Sequence, residues 1–341
     1  MQRTELGTLG EFGLIERLKA GITYQNKETI FGIGDDAAVL QMPENELTLF
    51  STDTLVEGIH FDLAYTPLKH LGYKCVTSNI SDIAAMNAVP KQITVSLAIS
   101  NRFSVEAIEE LYEGMKVACA EYKVDLVGGD VTTSLKGLIV TVSILGSAKK
   151  ENIVYRHTAK ENDIICVTGD LGSAFVGLQV LRQEKEEFMA NPNMQPQLAG
   201  KDYVVQRQLK PEARMDIVFD LKELGVLPTA MIDISDGLAS EMLHICTKSG
   251  VGASIFEDKL PLDHETLEII KSFNLSSTAC MLNGGEDYEL LFTIKQSDFE
   301  KIKNHPDIST IGYISAKDKG VNLISAGGQT VPLTAQGWAH F

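Results

Sequence analysis

The stretches "GIGDDAAVL" (32–40) and "FSTDTLVEGIHF" (50–61) set adjacent aspartates beside an apolar run, then an aspartate among hydroxyls. Further acids stand beside short apolar segments in "NISDIAAM" (79–86), "LVGGD" (126–130) and "MIDISDGL" (231–238). One such stretch is an ordinary surface turn, because Asp and Gly suit turns and water hosts the charge. Repetition points further. Strand ends or adjoining turns can bring Asp35, Asp53, Asp82 and Asp130 around magnesium, which prefers oxygen ligands and water. Taken singly, each Asp fits a solvated turn or cap better than a metal ligand. Ser51 and Thr52 flank Asp53 and can orient its carboxylate, present oxygens near a phosphate, or simply make strand-end hydrogen bonds. Gly128 and Gly129 allow a close approach that a β-carbon would obstruct, and Asp130 can then meet a nucleotide-bound magnesium, although the local pattern alone reads as a turn. The Lys-Ser/Thr ending of a phosphate-binding loop is absent, as is a dinucleotide-binding GxGxxG start.

The elements that must position these groups alternate between short β-rich segments and longer helical ones. "LTLFSTD" predicts a strand ending at Asp53, and 68–86 a helix with Leu71, Cys75, Ile80, Ile83 and Met86 on its inward side. A strand at "ITVSLAIS", a helix over 104–122 and a strand at "LIVTVSILG" (138–146) complete a first layered unit. A polar transition over 147–162 precedes "DIICVTGDLGSAFVGLQVL", which reads as strand, turn and helix. The Pro-, Asn- and Gln-rich segment 188–200 predicts an exposed excursion, followed by a helix over 212–225, a strand over 229–234 and a helix over 237–248.

At 341 residues and 44% hydrophobic composition, the chain can bury a substantial core and forms two domains more naturally than one. With 46 acidic residues against 30 Lys plus Arg, the formal charge of −16 disfavours nucleic-acid binding but not a nucleotide, since magnesium reconciles carboxylates with phosphates. Five cysteines at 75, 119, 166, 246 and 280 show no close pair of the zinc or redox kind, and are expected as reduced, mostly buried thiols. No long hydrophobic signal region opens the chain, and no apolar run approaches the roughly 20 residues of a membrane-spanning helix. A cytoplasmic location without a membrane partner is the expectation.

The ordered stretches "EFGLIERL", "GIGDDAAVL", "STDTLVEGIHF", "NISDIAAM", "LVGGD", "LKPEARM", "IDISDGL", "NGGEDYEL" and "GWAHF" together resemble the framework of thiamine-monophosphate kinases over nearly the full chain. The resemblance implies an α+β, two-domain aminoimidazole-ribonucleotide-synthetase-like fold, with the first-domain sheet pairing across a homodimer. It implies domains at 1–148, for metal and phosphate binding and dimerisation, and at 149–341, completing the nucleotide and substrate sites. It further implies that Asp35, Asp53, Asp82, Asp130, Asp233 and Asp236 bind several magnesium ions, with Ser51 and Thr52 adding oxygens. Tyr112, Gly129, Asp130, Arg156 and Ser235 correspond to ATP contacts, and His60, Glu286 and Trp338 to contacts with thiamine monophosphate.

Each of these positions has a plainer reading: helix packing for Tyr112, a boundary Arg for Arg156, helix capping by Ser235 and Asp236, a turn for His60, an acidic loop for Glu286 and a terminal packing anchor for Trp338. One departure stands out. Where the family often has a Gly- and Pro-rich turn, this chain has "RHTAKEND" (156–163), in which Thr158 and Asn162 remove backbone freedom. The implied reaction is ATP plus thiamine monophosphate giving ADP plus thiamine diphosphate by magnesium-assisted in-line transfer, with no protein nucleophile or required general base. The alternatives are another ATP-dependent synthetase of the superfamily, for selenophosphate synthesis or purine-ring closure, and a noncatalytic nucleotide-binding sensor.

Overall fold

The computed structural model describes residues 4–34, 37–193 and 195–337; Asp35 and Trp338 lie outside them. The chain divides into two compact units. One comprises the described residues up to Ile83 together with Ala88–Glu151, and the other Ala84–Asn87 with the described residues from Asn152 onward.

The first unit runs α1 (Leu6–Lys19), β1 (Thr29–Phe31), β2 (Val39–Leu40), β3 (Leu47–Val56), α2 (Leu68–Ala85), β4 (Val89–Ile99), α3 (Val105–Tyr122), β5 (Asp125–Thr133) and β6 (Leu138–Ala148). Its four-stranded sheet has the order β3-β6-β4-β5, antiparallel except for the parallel β4–β5 pair that α3 connects. Side chains alternate across a strand. Val140, Val142, Ile144, Val95 and Leu97 are buried on one face, whereas Thr52, Thr54 and Ser96 are exposed on the other.

Helix α3 starts where the Ser104 hydroxyl accepts from the Ala107 N–H at 3.3 Å, and ends at left-handed Lys123. Helices α2 and α3 approach backbone to backbone. A β-carbon on Gly72 would lie 1.9 Å from the Leu111 carbonyl oxygen, and one on Gly114 would lie 1.8 Å from that of Lys69.

The second unit runs β7 (Ile164–Thr168), α4 (Ser173–Ala190), α5 (Asp202–Leu209), α6 (Met215–Glu223), β8 (Ala230–Asp233), α7 (Leu238–Ser249), β9 (Gly252–Phe256), α8 (His264–Ser272), α9 (Ser277–Asn283), β10 (Leu290–Ile294), α10 (Phe299–Ile302), β11 (Ile308–Ser315), β12 (Val321–Ile324) and β13 (Thr330–Pro332). Its seven-stranded sheet has the order β13-β12-β9-β11-β7-β10-β8, with only β12–β9 parallel. Ile165, Val167, Ile232, Ile255 and Leu291 of the strands pack with Leu238, Met242 and Ile245 of α7. A second core joins Val176 and Val180 of α4 to Val204 of α5, Ile269 and Ile270 of α8 and Cys280 of α9. All five cysteines are free and buried. Among the described residues, no helix is long and apolar enough to cross a membrane.

Several sequence expectations need correction. Strand β3 continues through Val56, so Asp53 sits within it. "LVGGD" is strand and not turn, lying inside β5. There Gly129 is required by packing, since a β-carbon would meet the Val95 carbonyl oxygen at 2.0 Å. The excursion expected from 188 begins after Ala190, and Glu184 ties it back by accepting from the Gln197 N–H at 2.8 Å and Lys201 at 3.1 Å. In "RHTAKEND" the feared loss of backbone freedom does not arise. Asn162 itself takes φ 72°, a conformation that Asn tolerates better than most residues, and its N–H donates to Ile314 at 2.9 Å.

The helix crossing makes a clear stability prediction. Gly114→Ala should lower stability by about 1–3 kcal/mol through overpacking. Gly7→Ala, in α1 with nothing within 4 Å of the new carbon, should be neutral or stabilising. Urea unfolding of both variants checks this, and equal midpoints would remove the close crossing as a constraint.

Candidate active site

In the first unit the structure brings Ser51, Asp53 and Asp82 together. Ser51 and Asp53 share the helix-facing side of β3, and the Ser51 hydroxyl donates to Asp82 of α2 at 2.5 Å. Burial chiefly, and then the Asp82 charge, push the Asp53 carboxyl up to about 6. Two carboxylates and a hydroxyl in this partly desolvated place form a hard-oxygen donor set suited to a divalent cation.

Strand alternation divides the remaining positions. Thr52 faces the other way, its hydroxyl donating to the Val142 carbonyl at 3.1 Å and pairing with Ser143 at 3.0 Å. Asp130 stands in register with Ser96, itself opposite Thr141, which places it on that same hydroxyl-rich face, away from Asp53. Among the described residues, no three His, Cys, Asp or Glu side chains converge as a metal-holding group. Among the described residues of the first unit, the expected aspartates meet as the Ser51, Asp53 and Asp82 group.

The approach to Asp35 is anchored from β5. Fully buried Asp125 accepts from the N–H groups of Gln25 at 2.6 Å and Asn26 at 3.0 Å and from the Thr29 hydroxyl at 2.6 Å. The Tyr24 hydroxyl accepts from the Ile33 N–H at 2.9 Å, fixing the turn just ahead. His60 lies in the turn after β3, where its Nδ1 accepts from the Val56 N–H at 3.0 Å. Tyr112 lies on the buried side of α3, 5% exposed, its phenol raised by burial.

In the second unit, β8 delivers buried Asp233 into the loop 234–237 ahead of α7. The helix-capping reading of Ser235 and Asp236, the plainer alternative to ATP and metal contacts, is not what the N-cap residue shows. The N-cap of α7 is Gly237, without a side-chain cap, and Glu241 reaches back to accept from the Asp236 N–H at 3.0 Å. Burial pushes Glu241 up to about 7, opposed by the charge of Arg156, which the fold therefore sets near this loop.

A second loop is zipped to the first. The Glu286 N–H donates to the Ser235 carbonyl at 2.7 Å, the Tyr288 N–H to Ile234 at 2.9 Å, and the Ile234 N–H to Glu289 at 2.8 Å. Gly285, Glu286 and Tyr288 all have positive φ (72°, 57° and 52°), so this segment is strained and held by its surroundings. The C-terminal segment joins the same region: Gln336 donates to Asn283 at 2.8 Å, and Gly337 packs against the Asp236 carbonyl.

Sequence reading missed what holds the strained segment. Asp287 is fully buried and accepts from the Gly172 N–H with both oxygens, at 3.1 and 3.0 Å; burial pushes it up to about 7. Glu289, 2% exposed, accepts from Arg207 at 2.9 Å, Arg214 at 2.7 Å and the Thr168 hydroxyl at 2.5 Å. Gln208 donates to the Glu286 carboxylate at 2.7 Å. "LKPEARM" and "NGGEDYEL" contain several of these residues, but no spacing rule pairs them.

Each of the two units contains the match to one domain of the AIR synthase related protein family. The N-terminal domain of that family matches residues 34–148 and the C-terminal domain residues 160–321. Within this class, the thiamine-monophosphate kinase of Bacillus subtilis (strain 168) is 33% identical over 339 residues, spanning 98% of this chain and 100% of its own. The solved thiamine-monophosphate kinase from Stenotrophomonas maltophilia K279a is 30% identical over 93% of this chain and 96% of that one, with a TM-score of 0.79. A solved AaThiL complexed with AMPPCP and TMP is 32% identical over 100% of both chains, with a TM-score of 0.75. The chain belongs to the thiamine-monophosphate kinase family.

The environment of Asp53 yields a stability test. Its folded-state pKa lies above the ordinary value of 3.8, so protonation favours the fold. Stability is lost as pH rises from near 4 through about 6, by up to about 3 kcal/mol. In chelator, Asp53→Asn should be about 1–3 kcal/mol more stable than the parent at pH 8, with the gap closing toward pH 4. Urea melts across that range read it directly; parallel pH curves for the two proteins would contradict the buried like-charge pair.

Proposed function

We infer that this chain transfers the γ-phosphoryl group of ATP to the phosphate of thiamine monophosphate, giving thiamine diphosphate and ADP. The observation that carries the reading is full-length similarity to enzymes of this activity, including AaThiL solved with AMPPCP and TMP. A phosphate monoester has its second pKa near about 6, so the acceptor is already mostly dianionic at neutral pH and no protein base is needed. His60 fits that requirement. With Nδ1 engaged by the Val56 N–H, that nitrogen is not available to abstract a proton, which suits His60 to positioning the acceptor.

Ser51, Asp53 and Asp82 of the first unit are the residues best suited to hold one magnesium ion, with Asp35, with Thr52 and Asp130 on the opposite sheet face, and with Asp233 and Asp236 of the second unit as oxygen donors for further ions. Bound magnesium supplies neutralisation of phosphate charge and alignment of the donor and acceptor oxygens. Gly129 lets the β5 backbone run close beside β4, leaving Asp130 exposed for the nucleotide. Arg156, with a guanidinium fork matched to phosphate oxygens, and Ser235 serve ATP from the second unit. Glu286 and Trp338 serve the acceptor: a carboxylate for the cationic thiazolium, an aromatic face for its rings.

The functional form is a homodimer in which the first-unit sheet meets a second copy. In support, β3 is an edge strand whose outer face is left uncovered, with Thr52 and Thr54 on it and Phe50 68% exposed. The division of labour places metal and phosphate binding and dimerisation in 1–148, and completion of the nucleotide and substrate sites in 149–341.

Purified protein with γ-labelled ATP, magnesium and thiamine monophosphate should put the label in the terminal phosphate of thiamine diphosphate, with ADP in equal amount. Label released only as inorganic phosphate would favour a synthetase of the superfamily. Tight nucleotide binding without product would favour a sensor. Light scattering over a concentration series should show a dimer at assay concentration, and full activity from a monomer would overturn the assembly.

A further inference from the structure

The loop between β8 and α7 is held by its peptide groups. The unit that joins Ser235 to Asp236 is tied on both edges: its carbonyl accepts from the Glu286 N–H at 2.7 Å, and its N–H donates to the Glu241 carboxylate at 3.0 Å. A peptide unit is planar, so bonds on opposite edges fix its orientation, and with it the directions in which the Cα–Cβ bonds of Ser235 and Asp236 leave the chain. One tether is backbone to backbone and does not depend on side-chain identity. The other comes from a single side chain, 3% exposed, in the first turn of α7.

This bond resembles the returning half of a capping box, moved out by one residue at each end. The N-cap itself is Gly237, at φ 118° and so close to the Asn283 backbone that a β-carbon would lie 2.9 Å from its Cα. Glu241 therefore secures the loop ahead of the helix. An apolar side chain would fill its buried place at no loss of stability, so what the carboxylate contributes is the bond. It also lies within electrostatic reach of Arg156.

We propose that Glu241 is a positioning residue for the nucleotide: by holding the Ser235–Asp236 peptide from inside α7, it aims Ser235 at ATP and Asp236 at the magnesium ion that accompanies it. This rests on the reading of Ser235 and Asp236 as ATP and magnesium contacts. The backbone around Glu286, at the other tether, is held separately by Asp287 on the Gly172 N–H, so the binding of thiamine monophosphate changes little when Glu241 is replaced.

The test is calorimetric titration with the ATP analogue AMPPCP plus magnesium, and separately with thiamine monophosphate, on variants verified as folded by circular dichroism. Glu241→Met removes the acceptor at similar length and should weaken AMPPCP binding about tenfold, with thiamine monophosphate binding within about twofold of the parent. Glu241→Gln keeps an acceptor oxygen and should recover most of the loss. A Gln variant as weak as the Met variant would show that charge and not the bond matters, and would overturn the positioning role. Equal weakening of both ligands in Glu241→Met would show a merely structural role and overturn it too.

Ser235→Ala combined with Asp236→Asn separates the proposal from the reading beneath it. In that background Glu241→Met should add less than about twofold, because its effect passes through those two residues, and a full further tenfold loss would refute it. Unchanged AMPPCP binding in the background alone removes the reading of Ser235 and Asp236, and the proposal with it. Weakened binding there beside parent-like binding in Glu241→Met means that the Glu241 role alone fails. Glu241→Asp keeps the charge but is one methylene too short to reach the loop, which guards against misfolding of the Met variant. It should weaken AMPPCP binding about as much, and parent-like affinity in it would sink the proposal.

Discussion

A buried carboxylate held between two guanidiniums sets the geometry on which the second unit depends. Glu289 is nearly inaccessible to water, and without partners its charge would cost several kcal/mol to bury. Arg207 comes from α5 and Arg214 from the residue just before α6, so satisfying this single charge fixes the path of the chain from 202 to 215 against the start of β10. An apolar replacement of similar volume would be comparably stable, so such a cluster contributes orientation more than stability. The same turn of α5 that delivers Arg207 to Glu289 delivers Gln208 to Glu286, three residues earlier in the chain.

The first unit is organised by a different constraint, the two-residue period of a strand. Ser51 and Asp53 look toward α2, while Thr52 and Thr54 look toward an open, hydroxyl-rich face. On α2 the positions one and two turns before Asp82 are the buried Asn79, Ser78 and Cys75, so this stretch is largely removed from water. The Cys75 thiol registers this, pushed up to about 12 mainly by burial and in part by Asp53. Two like charges in a partly desolvated place are unfavourable until a proton or a cation joins them.

How much of this was legible depended on whether the cause was local. Helices α2 and α3 and strand β6 fall close to where apolar periodicity puts them, because burial of one face sets both the pattern and the element. The acids were visible by type. Their grouping was not: Asp53 looked like a strand terminus, but β3 continues because Thr54 pairs with Thr141 across the sheet. "VGG" looked like a turn, but its glycine answers to the Val95 carbonyl of a neighbouring strand. Ser235 and Asp236 had the composition of a helix cap, yet the cap-like bond runs backward from Glu241. The pairs of Glu289 with Arg214 and Arg207 span 75 and 82 residues, and each partner alone reads as a surface charge.

In the segment 156–163, where the sequence lacks the expected glycine- and proline-rich turn, hydrogen bonds hold the backbone instead. A Gly-rich turn reaches left-handed backbone without strain, whereas here Asn162 reaches it and the surroundings hold it there. Asp163 accepts from the Lys160 N–H at 2.9 Å and from the Thr229 hydroxyl at 2.6 Å, and Thr158 donates to the Thr229 carbonyl at 2.5 Å. Ser249, at the end of α7, donates to the Arg156 carbonyl at 3.4 Å. These bonds fix the loop to β8 and α7, the two elements that flank Asp233 and Asp236. Arg156 therefore keeps its electrostatic reach to Glu241 without a glycine in the turn, because hydrogen bonds to the site's own scaffold supply the constraint that backbone freedom would otherwise have to permit.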